Sequence, residues 1–310
     1  MKQKIKEEIA YWSYANGRII PNAECAIHIQ NDALGSMRGM RVFSTSVAVG
    51  PVVFRLSDHL DRIIAAAKHI GMQPNQTKTE MHTIVQAVLD AQQTADMLMV
   101  RLILSGQSSE ASTSTMRAEF YVYVSAMPQY ADALYHAGVW LGGYPHQREL
   151  APVKLTNYVS AYMARRQLPK GVDSPLYISP GLDPDVLEGD TYNIVFVDDS
   201  GLVTPANDGR ILLGITRKCV AELAKKLGIG YREAVIPYAT IGQYSECFMT
   251  TSLRFLMPIR QIDETPFSVG RGTQTVRLQA AFQALFQSET GHWLPQLGVH
   301  ADPVPSTHDG

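Results

Sequence analysis

Apolar positions along the chain change period several times, and each change marks an element. Between 80 and 92, Met81, Ile84, Val85, Val88 and Leu89 recur at i, i+3, i+4, i+7 and i+8, the spacing that gathers them on one helix face. Residues 58–71 share helical spacing, whereas 42–49 and 51–55 read as extended. The stretches 97–104 and 119–125 are rich in β-branched and aromatic residues, as strands of a half-buried sheet are. Together these predict a small α+β domain over residues 1–127. A proline, a glycine and mixed polar residues break the pattern from 128 to 138, which predicts an interdomain connection. A second, larger domain is expected over 139–300. It has a helix at 155–167, strands near 175–179, 192–197 and 246–250, and a last amphipathic helix near 275–287. A further helix at 216–227 places Val220, Leu223, Ala224 and Leu227 on one face, and Gly228 sits where a helix stops. Residues 301–310, with two prolines and no apolar period, are expected to form a mobile tail.

Composition narrows the function classes. An apolar fraction of 45% in 310 residues can fill more than one core. The 27 basic and 29 acidic residues are scattered and leave a formal charge of -2, so no track exists to neutralise a phosphate backbone and no nucleic-acid partner is expected. The start of the chain is charged rather than apolar, so no targeting segment is expected, and no run approaches the roughly 18 apolar residues a membrane span needs. Cys25, Cys219 and Cys247 fit neither a disulfide framework nor zinc-ligand spacing; no metal is expected, and a reducing cytoplasm is the expected location.

Several residues stand out as chemistry. Most of the ten lysines lie in solvated settings, but Lys154 sits in Ala151-Pro152-Val153-Lys154-Leu155-Thr156-Asn157-Tyr158, an apolar approach to a predicted helix, where desolvation favours a neutral, nucleophilic amine. Glu188, followed by Gly189, stands just ahead of a strand. Three segments suit an anion. Gly214-Ile215-Thr216-Arg217 opens a helix with unpaired N–H groups, Thr250-Thr251-Ser252 offers hydroxyls at a strand end, and Arg62 carries a guanidinium fork on a helix. Arg38, Arg41 and Arg101 are candidates for receiving a substrate carboxylate, Arg101 because it alternates with apolar neighbours on a strand.

In this order, the blocks resemble the fold-type-IV pyridoxal-phosphate enzymes, which include branched-chain aminotransferases, D-amino-acid aminotransferases, R-selective amine transaminases and aminodeoxychorismate lyases. The resemblance runs from about Trp12 to Phe286. Phe54-Arg55-Leu56-Ser57-Asp58-His59-Leu60-Asp61-Arg62 looks like the segment whose last arginine binds the cofactor phosphate, and Lys154-Leu155-Thr156-Asn157-Tyr158 like the Schiff-base segment. Glu188 followed by Asn193 has the spacing of the glutamate that meets the ring nitrogen. Gly214-Ile215-Thr216-Arg217 leads through Glu246-Cys247-Phe248-Met249-Thr250-Thr251-Ser252 to Pro258.

The resemblance implies an α/β (α+β) fold, with a small α+β domain, a larger one built on a mixed sheet or barrel, and pyridoxal 5'-phosphate in a cleft between them. It implies that Lys154 carries the cofactor, that Gly214, Ile215, Thr216, Thr251 and Ser252 hold its phosphate with Arg62, and that Tyr158 faces its phenolic oxygen. An amino acid or amine and a 2-oxo acid are the implied substrates, and a homodimer the implied assembly. A lyase on the same scaffold is the alternative, and a non-catalytic cofactor-binding relative a third reading. The pocket departs from the branched-chain pattern: Arg38-Gly39 replaces tyrosine-glycine, and Phe43-Ser44-Thr45 replaces phenylalanine-glutamate-glycine. The resemblance therefore does not by itself carry a branched-chain substrate over to this chain.

Overall fold

The computed structural model describes residues 10–107 and 116–298, which divide into two compact units. One unit runs to Pro128 and also takes Val153–Asn157; the other takes Gln129–Pro152 and the chain from Tyr158 onward. The expected tail at 301–310 lies outside the described residues.

The first unit contains β1 (Trp12–Ala15), β2 (Arg18–Pro21), α1 (Ala33–Arg38), β3 (Arg41–Val49), β4 (Val52–Val53), α2 (Leu56–His69), β5 (Met72–Pro74), α3 (Lys78–Asp90), β6 (Met97–Gly106) and β7 (Met116–Ala126). Its sheet has the order β2-β1-β7-β6-β3-β4, antiparallel throughout, and β5 joins β7 in parallel. Side chains alternate across the pleat. Val42, Ala48, Val100, Leu102, Leu104, Phe120, Val122 and Val124 join a core with Leu60 and Ile63 of α2 and Met81, Val85 and Val88 of α3. Each of the larger of these, Val, Leu, Ile, Phe or Met, contributes about 1.5–3 kcal/mol by leaving water. The opposite face carries Phe43, Thr45 and Arg101, Thr45 standing directly across from Arg101. Thr77 starts α3 with a capping box: its hydroxyl accepts from the Glu80 N–H and the Glu80 carboxylate accepts from the Thr77 N–H.

The second unit contains α4 (Leu134–Ala137), β8 (Val139–Pro145), α5 (Val159–Gln167), β9 (Ser174–Ile178), β10 (Val186–Gly189), β11 (Asn193–Asp198), β12 (Gly201–Pro205), α6 (Ile215–Leu227), β13 (Tyr231–Ala234), β14 (Glu246–Thr251), β15 (Phe255–Ile262), β16 (Thr265–Pro266), α7 (Gln274–Thr290) and α8 (Pro295–Gly298). The sheet order is β10-β9-β8-β15-β14-β11-β12-β13, with β16 on β15. Parallel pairs (β8 with β9 and β15, β12 with β13) mix with antiparallel ones. The fold is thus the mixed α/β class expected. The segment 128–138 carries the short helix α4, and Gly138 leaves it at φ +73.

One expected element starts late. The helix predicted at 155–167 begins only at Val159, because the preceding residues give their backbone to β3 instead. Phe43 N–H donates to the Lys154 carbonyl at 3.0 Å, Thr156 N–H donates to the Arg41 carbonyl at 3.2 Å, and Leu155 bridges Val42. Lys154 therefore stands on a strand-like segment. No helix among the described residues is long and apolar enough to cross a membrane.

Candidate active site

The first unit gathers Lys154, Arg62 and Arg101 around β3. The Lys154 ammonium lies 4.7 Å from the centre of the Phe43 ring, and the Arg101 guanidinium carbon lies 5.7 Å from the same ring. An aromatic face attracts cations, so Phe43 is a platform for both. Arg101 Nη2 also reaches the Met99 sulfur at 3.9 Å, but its buried Nε has no hydrogen-bond partner. Arg62 Nη2 donates to Ser44 Oγ at 2.7 Å, and Ser44 Oγ lies 2.8 Å from His59 Nδ1. Arg62 can only donate, so the Ser44 hydroxyl accepts that bond and has its own proton to give to Nδ1 of a neutral imidazole. Burial holds His59 well below the usual histidine range, helped by the charges of Arg62 and Lys154.

The other two arginine candidates are placed differently. Arg41 is committed within the fold: its Nη2 bonds the buried Asp32 carboxylate and its Nε donates to Ser105 Oγ at 2.8 Å. Asp32 also accepts from Ser36 Oγ at 2.6 Å and from Ser105 Oγ. A Cβ on Gly35 would meet Ser105 Oγ at 2.0 Å, so only glycine lets α1 approach this network. Arg38, the last residue of α1, is exposed.

The second unit assembles around Glu188, buried at the end of β10. Its Oε1 accepts from Arg148 Nε at 2.9 Å and Nη2 at 2.5 Å; its Oε2 accepts from the Leu212 N–H at 3.0 Å and from Asn193 Nδ2 at 3.4 Å. Asn193 Nδ2 also donates to the Leu212 carbonyl at 2.7 Å, which ties β11 to the segment entering α6. Arg148 Nη2 holds the Ala151 carbonyl at 2.7 Å. Gly214 is the N-cap of α6, and no side chain caps the helix there. A Cβ on Gly214 would stand 2.1 Å from Asn193 Oδ1, so the close approach of the helix start to Asn193 demands glycine. Thr216 is buried beside it, while Arg217 turns inward to Glu233 at 2.8 Å and the Pro205 carbonyl at 3.0 Å.

Thr250 pairs with Asn193 across β11 and β14, so the end of β14 lies beside the Glu188 network. The Thr250 Oγ1 is buried without a partner; Thr251 and Ser252 are half-buried. Tyr158 is the half-buried N-cap of α5. Burial and the Asp190 charge push the Tyr177 phenol well up, with Glu188 and Tyr158 adding to the shift, so these groups share one neighbourhood.

These features fit pyridoxal phosphate. Thr250 presents a buried hydroxyl with no partner, the α6 start presents backbone N–H groups with no side-chain cap, and a buried carboxylate accepts from the N–H groups of Arg148 and Leu212. Sequence reasoning missed Arg148, which lies 40 residues from Glu188, and missed the Ser44–His59 support of Arg62. The signal for Arg148 was an arginine just before the Lys154 segment. Among the described residues, no group of His, Cys, Asp or Glu could hold a metal ion.

Comparison with known proteins identifies the family and the fold. The chain is 28% identical to a branched-chain-amino-acid aminotransferase of Escherichia coli strain K12, over 93% of this chain and 98% of that one. A branched-chain aminotransferase of Thermoproteus uzoniensis, crystallised with norvaline, superposes with a TM-score of 0.79 at 24% identity, covering 90% of this chain and 96% of that one. The holo, pyridoxal-phosphate form of a Thermobaculum terrenum branched-chain aminotransferase gives a TM-score of 0.79 at 21% identity, covering 91% and 96%. At these identities the two structures establish the fold. The family model for class IV aminotransferases matches residues 40–262, more than half of the chain, and on that match this protein belongs to the class IV aminotransferases, a pyridoxal-phosphate-dependent transaminase.

Proposed function

We propose that the protein moves an amino group between an amino acid or amine and a 2-oxo acid, with Lys154 as the cofactor-bearing lysine. The cofactor supplies an aldehyde that takes up the amino group and a pyridine ring that accepts electrons from the substrate α-carbon. Arg62, the amides of Ile215 and Thr216 at the Gly214 cap, and the hydroxyls of Thr251 and Ser252 hold its phosphate. Glu188 holds a proton at the ring nitrogen, steadied by Arg148 and Asn193. Tyr158 orients the ring from the phenolic side.

Lys154 Nζ takes the proton from the substrate α-carbon, for which the amine must be neutral at that stage. Arg101 receives the substrate carboxylate. What supports this choice over Arg41 is an Nε with no partner on a side chain that shares the Phe43 ring with Lys154, against an Arg41 fork already bonded to Asp32. Ser44, where the branched-chain pattern has glutamate, is used to hold Arg62, and Thr45 leaves a buried hydroxyl without a partner. With Arg38 in place of tyrosine, these residues make a pocket diverged from the branched-chain enzymes. A cytoplasmic homodimer is the assembly proposed by analogy with the family.

The observation that carries the reading is the buried Glu188 carboxylate, fixed by four N–H contacts beside the uncapped start of α6. The test is a half-reaction panel. Purified holoprotein mixed with single amino acids and amines should lose its visible cofactor absorbance, and a 2-oxo acid should restore it. Product release with no 2-oxo acid required would mark a lyase instead, and a spectrum unchanged by every compound would mark a non-catalytic binder.

A further inference from the structure

Arginines inside folded proteins are normally matched with carboxylates, because an unpaired buried charge is costly. Among the described residues of the second unit, four arginines are buried or half-buried: Arg148, Arg210, Arg217 and Arg254. Arg148 pairs with Glu188, Arg210 with Asp185 and Asp208, and Arg217 with Glu233. Arg254 pairs with no carboxylate among the described residues. Its guanidinium carbon stacks 5.0 Å from the centre of the Tyr130 ring, and its Nη1 has only the Met249 sulfur, a weak acceptor, at 3.9 Å.

Its position is also fixed. Arg254 ends the three-residue turn between β14 and β15, two residues after Ser252. The next residue, Phe255, takes a left-handed φ of +56, a conformation that disfavours any side chain by about 1–2 kcal/mol. Phe255 is held there by burial against Phe282 and Phe286, at ring distances of 5.8 and 5.5 Å. The strained anchor on one side and the paired strand end on the other set the direction in which the turn presents Arg254. A guanidinium stacked on an aromatic face keeps its N–H edge free for a planar, two-oxygen acceptor.

We propose that Arg254 is a specificity-determining residue that receives a carboxylate of the substrate, its fork supported by Tyr130 and Met249. The proposal rests on the aminotransferase reading above.

The test compares Arg254→Gln and Arg254→Lys with the wild-type holoenzyme. For each amino acid turned over, the KM is measured beside that of the amine with the same skeleton but no carboxylate. Arg254→Gln should raise the KM of the acid about tenfold or more relative to its effect on the amine, the worth of one charge-assisted hydrogen-bond pair. Arg254→Lys, which keeps the charge and loses the fork, should fall between. Calorimetric titration with glutarate, a dicarboxylate that cannot react, should show its Kd weakened by a similar factor in Arg254→Gln. Equal changes for acid and amine, or an unchanged glutarate Kd, overturn the proposal. If thermal melting shows that the Gln variant does not fold, the same comparisons on the Lys variant decide. If wild-type protein turns over neither acid nor amine, the aminotransferase reading fails by itself, and the glutarate titration still tests Arg254.

Discussion

Replacing Arg148 with Met should unsettle Glu188 more than any exposed substitution on this fold could. The Arg148 side chain is 22% exposed and that of Glu188 only 5%, so the pair is largely shielded from water. The variant removes donors at 2.9 and 2.5 Å from Oε1 and the 2.7 Å bond to the Ala151 carbonyl. Glu188 keeps the Leu212 N–H at 3.0 Å and a long Asn193 contact at 3.4 Å, which leaves Oε1 without these two donors. Deleting one member of a buried pair costs about 3–5 kcal/mol; the partial exposure of Arg148 places the loss near the lower end, about 3 kcal/mol. At about 2–4 °C per kcal/mol for a unit of this size, melting should fall by about 6–12 °C. Arg148→Met with Glu188→Gln removes the stranded charge and should recover about 1–2 kcal/mol relative to the sum of the single changes. Urea and thermal unfolding of the cofactor-free protein at neutral pH read both quantities. A loss under about 1 kcal/mol for Arg148→Met, or strict additivity in the double variant, would refute the view that the pair is one coupled unit.

Acid should destabilise the protein through His59. Its folded pKa lies well below the ordinary histidine value of about 6.5, so between the two values the unfolded chain binds a proton that the folded one does not. Stability is therefore full above about pH 6.5 and falls as pH drops below it, by up to about 1.4 kcal/mol per pH unit. His59→Asn should flatten that slope in urea unfolding between pH 7.5 and 5, and an unchanged slope would assign the effect elsewhere. Gly214→Ala puts a methyl 2.1 Å from Asn193 Oδ1 and must displace the side chain that links Glu188 to Leu212. It should cost about 1–3 kcal/mol and speed cofactor loss on dialysis; wild-type melting and retention would show that the helix start has more room than the distance allows.

The legible parts of the sequence were those whose signals are local. Helix α6 could be bounded because Gly214 and Gly228 flank one apolar stripe, whereas α3 was visible from its apolar period alone, without the Thr77 cap that starts it. Strand β8 was not legible: Gly142 and Gly143 interrupt it, and its partners β9 and β15 are parallel and distant in the chain. Strand β15 hid behind Pro258, which nonetheless pairs with Phe248. Lys154, Glu188 and Gly214 could be singled out as candidates by motif, since each belongs to a short block with its own order. Arg148 and Arg254 were not, because an arginine's role depends on whether a carboxylate reaches it in space, and no spacing rule reports that.

The most direct measurement of the central claim is chemical trapping. Holoprotein reduced with borohydride, digested and examined by mass spectrometry should carry the cofactor mass on the side-chain amine of Lys154, in the peptide containing Leu155-Thr156-Asn157. Label on a different lysine, or a protein that retains no label after reduction, would contradict it.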